Sequence, residues 1–220
     1  MLYHLLYPLR DFFFAFNVFQ YISFRAVGAA ITALFISFLL GPRVIKMLTR
    51  LQVGETIRDS GPESHQMKEG TPTMGGALII LAIVLPTLLW AKIGDIHIQI
   101  LLLATVWMGM IGFFDDYLKV VKKYPDGLIA RYKMAGQIIL GLVIGYLVTT
   151  YPTVSELRTV ISVPFIANGH VDIGWLYIPL IILVITATSN AVNLTDGLDG
   201  LSTGLVAIAT LVFGAIAYAS

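Results

Sequence analysis

The chain contains no cysteine in its 220 residues, which excludes disulfides, thiolate metal sites and cysteine nucleophiles. Charge is also scarce. Asp, Glu, Lys and Arg make up 12% of the sequence, against about 25% in an average soluble domain. With a net charge of +1 there is no basic surplus to displace counterions, so no nucleic-acid partner is expected. No internal repeat, low-complexity tract or soluble-domain linker interrupts the chain. The opening MLYHLLYPLRDFFFAFNVFQY has no basic n-region and no small-x-small cleavage site, so it does not read as a signal peptide. Its six Phe and Tyr residues between 12 and 21 suit an aromatic-rich leader lying along a bilayer surface.

What is abundant is apolar surface, 57% of residues. Six stretches carry no charged residue: 26–42, 70–91, 96–114, 134–155, 173–195 and 200–220. A helix needs about 20 apolar residues to cross the hydrocarbon core, and these runs are too long for barrel strands. The expected fold is an all-α polytopic transmembrane helical bundle. A single membrane domain is expected over 1–220, with helices near 22–43, 71–91, 96–115, 133–151, 173–193 and 199–219. Ten of the fourteen basic residues fall in 43–70 and 115–133. The positive-inside rule then places both segments in the cytoplasm, the N-terminus outside, and 193–199 inside by parity. The outer loop 151–172, with Pro152, Pro164 and an Asn-Gly-His run, has room for a short hairpin.

Three polar segments therefore share one face. In GFFDDYLKVVKKYPDG, Asp115 and Asp116 end the third helix, the unfavourable end of the macrodipole for a carboxylate. Neighbours on a helix point about 100° apart, so the two acids face different surroundings. They suit a hard cation such as Mg²⁺ or activation of a nucleophile. The alternative is a frayed helix end balanced by Lys119, Lys122 and Lys123. In SHQMKEGTPTMGG, Thr71 and Pro72 read as a helix start, either an ordinary cap or an anion site with Lys68 just before it. In NAVNLTDGLDG, Asn193, Thr195, Asp196 and Asp199 either offer oxygen ligands or base-reading edges, with Gly197 and Gly200 freeing the backbone, or form an ordinary N-cap and short turn between the fifth and sixth helices. Asp196 and Asp199 share a face if that segment is helical. Arg131 and Lys133 precede the fourth helix and either hold a phosphate or enforce topology. Gly141 with Gly145, and Gly200 with Gly204, form GxxxG pairs that permit close helix contact or a homodimer. The four histidines show no ligand spacing. Acids for Mg²⁺, cations for phosphates and glycine-bent polar segments on one face are what phosphoryl transfer needs.

ESHQMKEGTPTMGG, GFFDDYLK, GLIARYK and NAVNLTDGLDGL, in that order over 63–200, together resemble the bacterial phospho-N-acetylmuramoyl-pentapeptide-transferases. These are a branch of the polyprenyl-phosphate sugar-1-phosphate transferase superfamily. The resemblance implies Mg²⁺-dependent transfer of phospho-MurNAc-pentapeptide from UDP-MurNAc-pentapeptide to undecaprenyl phosphate, giving lipid I and UMP at the inner membrane. It implies that Asp115 and Asp116 are the catalytic and metal-binding pair. Lys68, Thr73 and Lys133 would lie near substrate phosphates, and Asn193, Asp196, Gly197, Leu198 and Asp199 would line the nucleotide pocket. The family has about ten helices, a third essential aspartate in an F-M-G-D type segment and a histidine-rich loop. This chain holds six expected helices and neither later segment, so the 220 residues alone are expected to be inactive. A sister transferase acting on UDP-N-acetylhexosamine is the near alternative. An ion-coupled transporter is the distant one, since its acids belong near mid-membrane.

Overall fold

The computed structural model describes residues 1–50, 74–124, 127–151, 158–163, 169–196 and 200–219. They fall into two compact units, Met1–Lys133 and Met134–Ser220.

The first unit opens with α1 (Leu2–Leu6) and two 3₁₀ turns, Tyr7–Asp11 and Phe14–Gln20, followed by α2 (Ile22–Arg50), α3 (Gly76–Trp90) and α4 (Ile96–Val120). The Asp95 carboxylate caps α4 by accepting from the His97 amide at 2.8 Å. That bond holds the Asp95 carboxyl below the ordinary carboxylate value. The crossing of α2 and α3 is set by Trp90. Its ring stacks on Phe19 at 6.0 Å, and its indole N–H donates to Thr32 Oγ1 at 3.0 Å. A Cβ on Gly28 would fall 2.6 Å from that ring, so only glycine admits it there.

The second unit contains most of α5 (Ala130–Thr150), a two-stranded antiparallel pair, a 3₁₀ turn at Gly174–Leu176, α6 (Tyr177–Thr195) and α7 (Leu201–Ala219). The strands are β1 (Val160–Ser162) and β2 (His170–Asp172), with Ile161 opposite Val171. They occupy the loop where a hairpin was expected. Gly141 and Gly145 lie on the face of α5 that meets α6, where added Cβ atoms would come 2.9 Å from Ile182 Cα and 3.1 Å from Ile178 Cγ2. This GxxxG pair is therefore filled by a helix of the same chain.

Five helices are long and apolar enough to cross a membrane. The protein is an all-α, multi-pass membrane protein. The count of six full spans needs correction: α3 has 15 residues, about 22 Å at 1.5 Å per residue, against a core about 30 Å thick. The expected start at 71–73 lies outside the described residues. The regular backbone begins only at Gly76, after Met74 at φ 67°. Other boundaries move as well. α2 continues past 43 to Arg50 with Pro42 inside it, and α4 continues past 115 to Val120. Large apolar side chains stay exposed along every long helix, from Phe38 through Leu101 to Phe213, which suits lipid as the solvent. The hydroxyls of Thr32, Ser37, Thr49, Thr87, Thr105, Thr188 and Thr195 each donate to the carbonyl four residues back. No hydroxyl in that set is left unpaired in lipid.

Candidate functional site

The acid pair sits in the last turn and a half of α4 rather than at its end, so the expectation that both acids close the helix is corrected. The helix continues because its unfavourable dipole end carries compensating cations. Lys119, four residues on, brings its ammonium 3.1 Å from Asp115 Oδ2, and Lys133, from the first turn of α5, comes to 2.8 Å. The other oxygen, Oδ1, accepts the Leu128 amide at 2.8 Å. The Asp115 side chain is 13% exposed.

Gly127 makes this closure possible, and sequence reasoning assigned it no role. Its φ is +60°, and a Cβ there would collide with Asp115 Oδ1. Glycine is required on both counts. The Pro-Asp-Gly run ahead of Leu128 was the available signal.

Asp116 points elsewhere, as the 100° offset between neighbours requires. It lines a cavity of about 330 Å³ between α3 and α4, whose other walls include Met74, Ile80, Val106, Met110 and Phe113. Gly112 contributes an open wall, with nothing within 4 Å of where its Cβ would stand. The two adjacent carboxylates thus have separate environments: one is locked among cations, the other borders an apolar space.

The two acids differ as Mg²⁺ ligands. Both oxygens of Asp115 are already engaged, and an ion there would lie beside two ammonium groups, so Asp115 does not fit the metal role expected for it. Asp116 fits better, because Mg²⁺ is commonly held by one or two carboxylates together with substrate phosphates. Among the described residues no group of three His, Cys, Asp or Glu side chains is placed to hold a metal.

Within the second unit, Asn193 lies in the last turn of α6, and Asp196 caps that helix, its amide donating to the Val192 carbonyl at 3.1 Å. Both are exposed. The helix stops at Thr195, and the Asp196 backbone turns to ψ 24°. Lys68, Thr73, Gly197, Leu198 and Asp199 lie outside the described residues. A polar contact that sequence reasoning missed supports α6 from behind. Gln137 of α5, 4% exposed, donates to Ser189 Oγ at 3.1 Å and accepts from Asn190 at 2.9 Å. An amide within the uncharged run 134–155 was the available signal.

A multi-pass helical protein with a lysine-clamped aspartate beside a second aspartate on an apolar cavity has the makings of a membrane-embedded transferase. Residues 98–220 match the family model described as Glycosyl transferase family 4, and the chain belongs to that family. Residues 68–80 match a second description, Phospho-N-acetylmuramoyl-pentapeptide-transferase signature 1. Among similar proteins, the phospho-N-acetylmuramoyl-pentapeptide-transferase of Chlorobaculum parvum is 49% identical over 220 residues, covering 99% of this chain and 60% of its own length. That of Citrifermentans bemidjiense is 51% identical over 208 residues, covering 94% and 57%. That of Desulfotalea psychrophila is 46% identical over 218 residues, covering 99% and 60%. The chain spans about 60% of the length of the curated relatives it matches.

Proposed function

We propose that the protein containing this chain transfers phospho-MurNAc-pentapeptide from UDP-MurNAc-pentapeptide to undecaprenyl phosphate in peptidoglycan synthesis. The products are lipid I and UMP. The observation that carries this reading is the division of labour within the acid pair, set beside the family match. Asp115 draws the ammonium groups of Lys119 and Lys133 onto one oxygen, and concentrated positive charge is what two phosphate-bearing substrates require. Asp116 borders the apolar cavity next to that charge.

In the reaction an oxygen of the acceptor phosphate attacks the sugar-bearing phosphorus of the UDP-sugar. The bond between that phosphorus and the bridging oxygen breaks, and UMP leaves with the electron pair. Lys133 and Lys119 offset the charge on the phosphates, and Asp115 keeps both ammonium groups from drifting into water. The carboxylate of Asp116 orients the acceptor phosphate at the mouth of the cavity. Mg²⁺, held by Asp116 and the substrate phosphates, would supply further charge neutralisation. Lys68, Thr73, Asn193, Asp196, Gly197, Leu198 and Asp199 are assigned to the donor, by the resemblance of their segments to the family's. The setting is the bacterial inner membrane, with Asp115 on the cytoplasmic face and the N-terminus outside, supported by the placement of ten of fourteen basic residues.

The test is release of UMP by the purified intact protein, with undecaprenyl phosphate and each of two donors. UDP-MurNAc-pentapeptide should release UMP and UDP-N-acetylglucosamine should not. The opposite pattern would assign the protein to the sister branch.

A further inference from the structure

Three of the four basic residues outside the two basic segments, Arg10, Arg25 and Lys92, converge on one pair of tyrosines in the first unit. Tyr3 and Tyr7 stack with ring centres 5.1 Å apart and 11° between their planes. The Arg10 guanidinium lies 4.3 Å from the centre of the Tyr7 ring. The Arg25 guanidinium and the Lys92 ammonium lie 5.0 and 4.8 Å from the centre of the Tyr3 ring. Arg25, in the first turn of α2, is 8% exposed, and its Nη1 is buried without a hydrogen-bond partner. Among the described residues neither Arg25 nor Lys92 has a carboxylate within ion-pair distance. Exposed Asp11 lies 3.8 Å from Arg10.

A desolvated guanidinium with an unpaired donor is costly, and an aromatic face offsets only part of that cost. Two cations drawn to one ring also repel each other. An anion among them resolves both problems at once. Depth identifies the anion's chemistry. From Ile96, just beyond Lys92, to Asp115 the helix α4 rises about 28 Å, close to the thickness of the hydrocarbon core. The cluster therefore lies at the membrane surface opposite Asp115, where lipid phosphates are concentrated. Phe19, Phe24 and Trp90 form an aromatic group beside α2, as side chains at that depth do. We propose that Arg25, Lys92 and Arg10, arranged around Tyr3 and Tyr7, bind the phosphate of an anionic membrane lipid at this surface. Lys92 and Arg10 are exposed to receive it, and Arg25 supplies a donor left without a hydrogen-bond partner among the described residues. The site is separate from the acid pair and does not depend on the proposed reaction.

The full 220-residue chain, in neutral detergent micelles doped with phosphatidylglycerol or phosphatidylcholine, is examined by native mass spectrometry for retained lipid. Phosphatidylglycerol should be retained over phosphatidylcholine. Lys92→Gln and Arg25→Gln should each weaken its retention about fivefold, and Arg158→Gln should leave it unchanged. Displacement by inorganic phosphate would support the same site with a soluble phosphate as its ligand; resistance to displacement supports the lipid. Circular dichroism checks that Arg25→Gln folds, and exposed Lys92→Gln keeps the test readable if it does not. Undiminished phosphatidylglycerol retention in folded Lys92→Gln and in an Arg10→Gln/Lys92→Gln double variant would overturn the proposal.

Discussion

The Lys133 ammonium approaches Asp115 more closely than Lys119 does, 2.8 Å against 3.1 Å, although Lys119 is the i,i+4 neighbour on the same helix. The pairing joins α4 to the start of α5 across the intervening segment, and the Leu128 amide seals the other carboxylate oxygen. Lys133 is also the less exposed of the two lysines, 29% against 42%, so its charge is the less screened by water.

In the intact protein, Lys133→Met should lower kcat/KM about 100-fold, the scale of removing one preorganised charge-stabilising group. Lys119 remains to hold Asp115, so the melting temperature should move little. Initial rates of UMP release together with thermal unfolding in detergent separate the two effects. A rate within twofold of the parent would remove Lys133 from the site.

The two aspartates should respond differently to neutralisation. Asp115→Asn unpairs two ammonium groups and weakens the bond to the Leu128 amide, so both activity and stability should fall, the latter by about 1–3 kcal/mol. Asp116→Asn leaves the ion pairs of Asp115 with Lys119 and Lys133 in place and should abolish turnover with a smaller loss of stability than Asp115→Asn. Denaturant titration of the two variants decides this, and equal stability losses would contradict the division of roles.

The GxxxG pairs should also diverge. At Gly141 an added side chain meets the backbone of Ile182, which cannot rotate away, whereas at Gly204 nothing lies within 4 Å. Gly141→Leu should destabilise the protein by about 1–3 kcal/mol, and Gly204→Leu should be tolerated. Comparing their melting temperatures in one detergent checks the prediction.

Outside the membrane-spanning segments, the Thr159 hydroxyl and then the Gly174 amide hold the Asp172 carboxyl below its ordinary value of 3.8. A lowered folded pKa means that the ionised form favours the folded state. The contribution to the β1–β2 pair is therefore in place above pH 3.8 and lost as the pH falls through the folded value. An NMR titration of the Asp172 carboxyl carbon should give a midpoint below 3.8, and Thr159→Val should raise it.

Much of the fold was legible because lipid as a solvent leaves a coarse mark. Runs of about 20 residues without charge predict spanning helices whatever their packing, and five of the six became long helices. Boundaries were less legible. A charged residue was read as the end of a span at Asp115, yet the helix continued to Val120 because Lys119 and Lys133 neutralise the acid within it.

The sequence by itself determined the solvent, the helical class and the short list of chemically capable residues. Each follows from composition or from motif wording, which survive without any knowledge of contacts. Tertiary structure alone decided what each acid meets. Whether a carboxylate meets two ammonium groups or an apolar cavity depends on which way its Cβ points and on where Lys133 and the Gly127–Leu128 backbone return. Those contacts span 12 to 18 positions along the chain, a range that local sequence pattern does not encode.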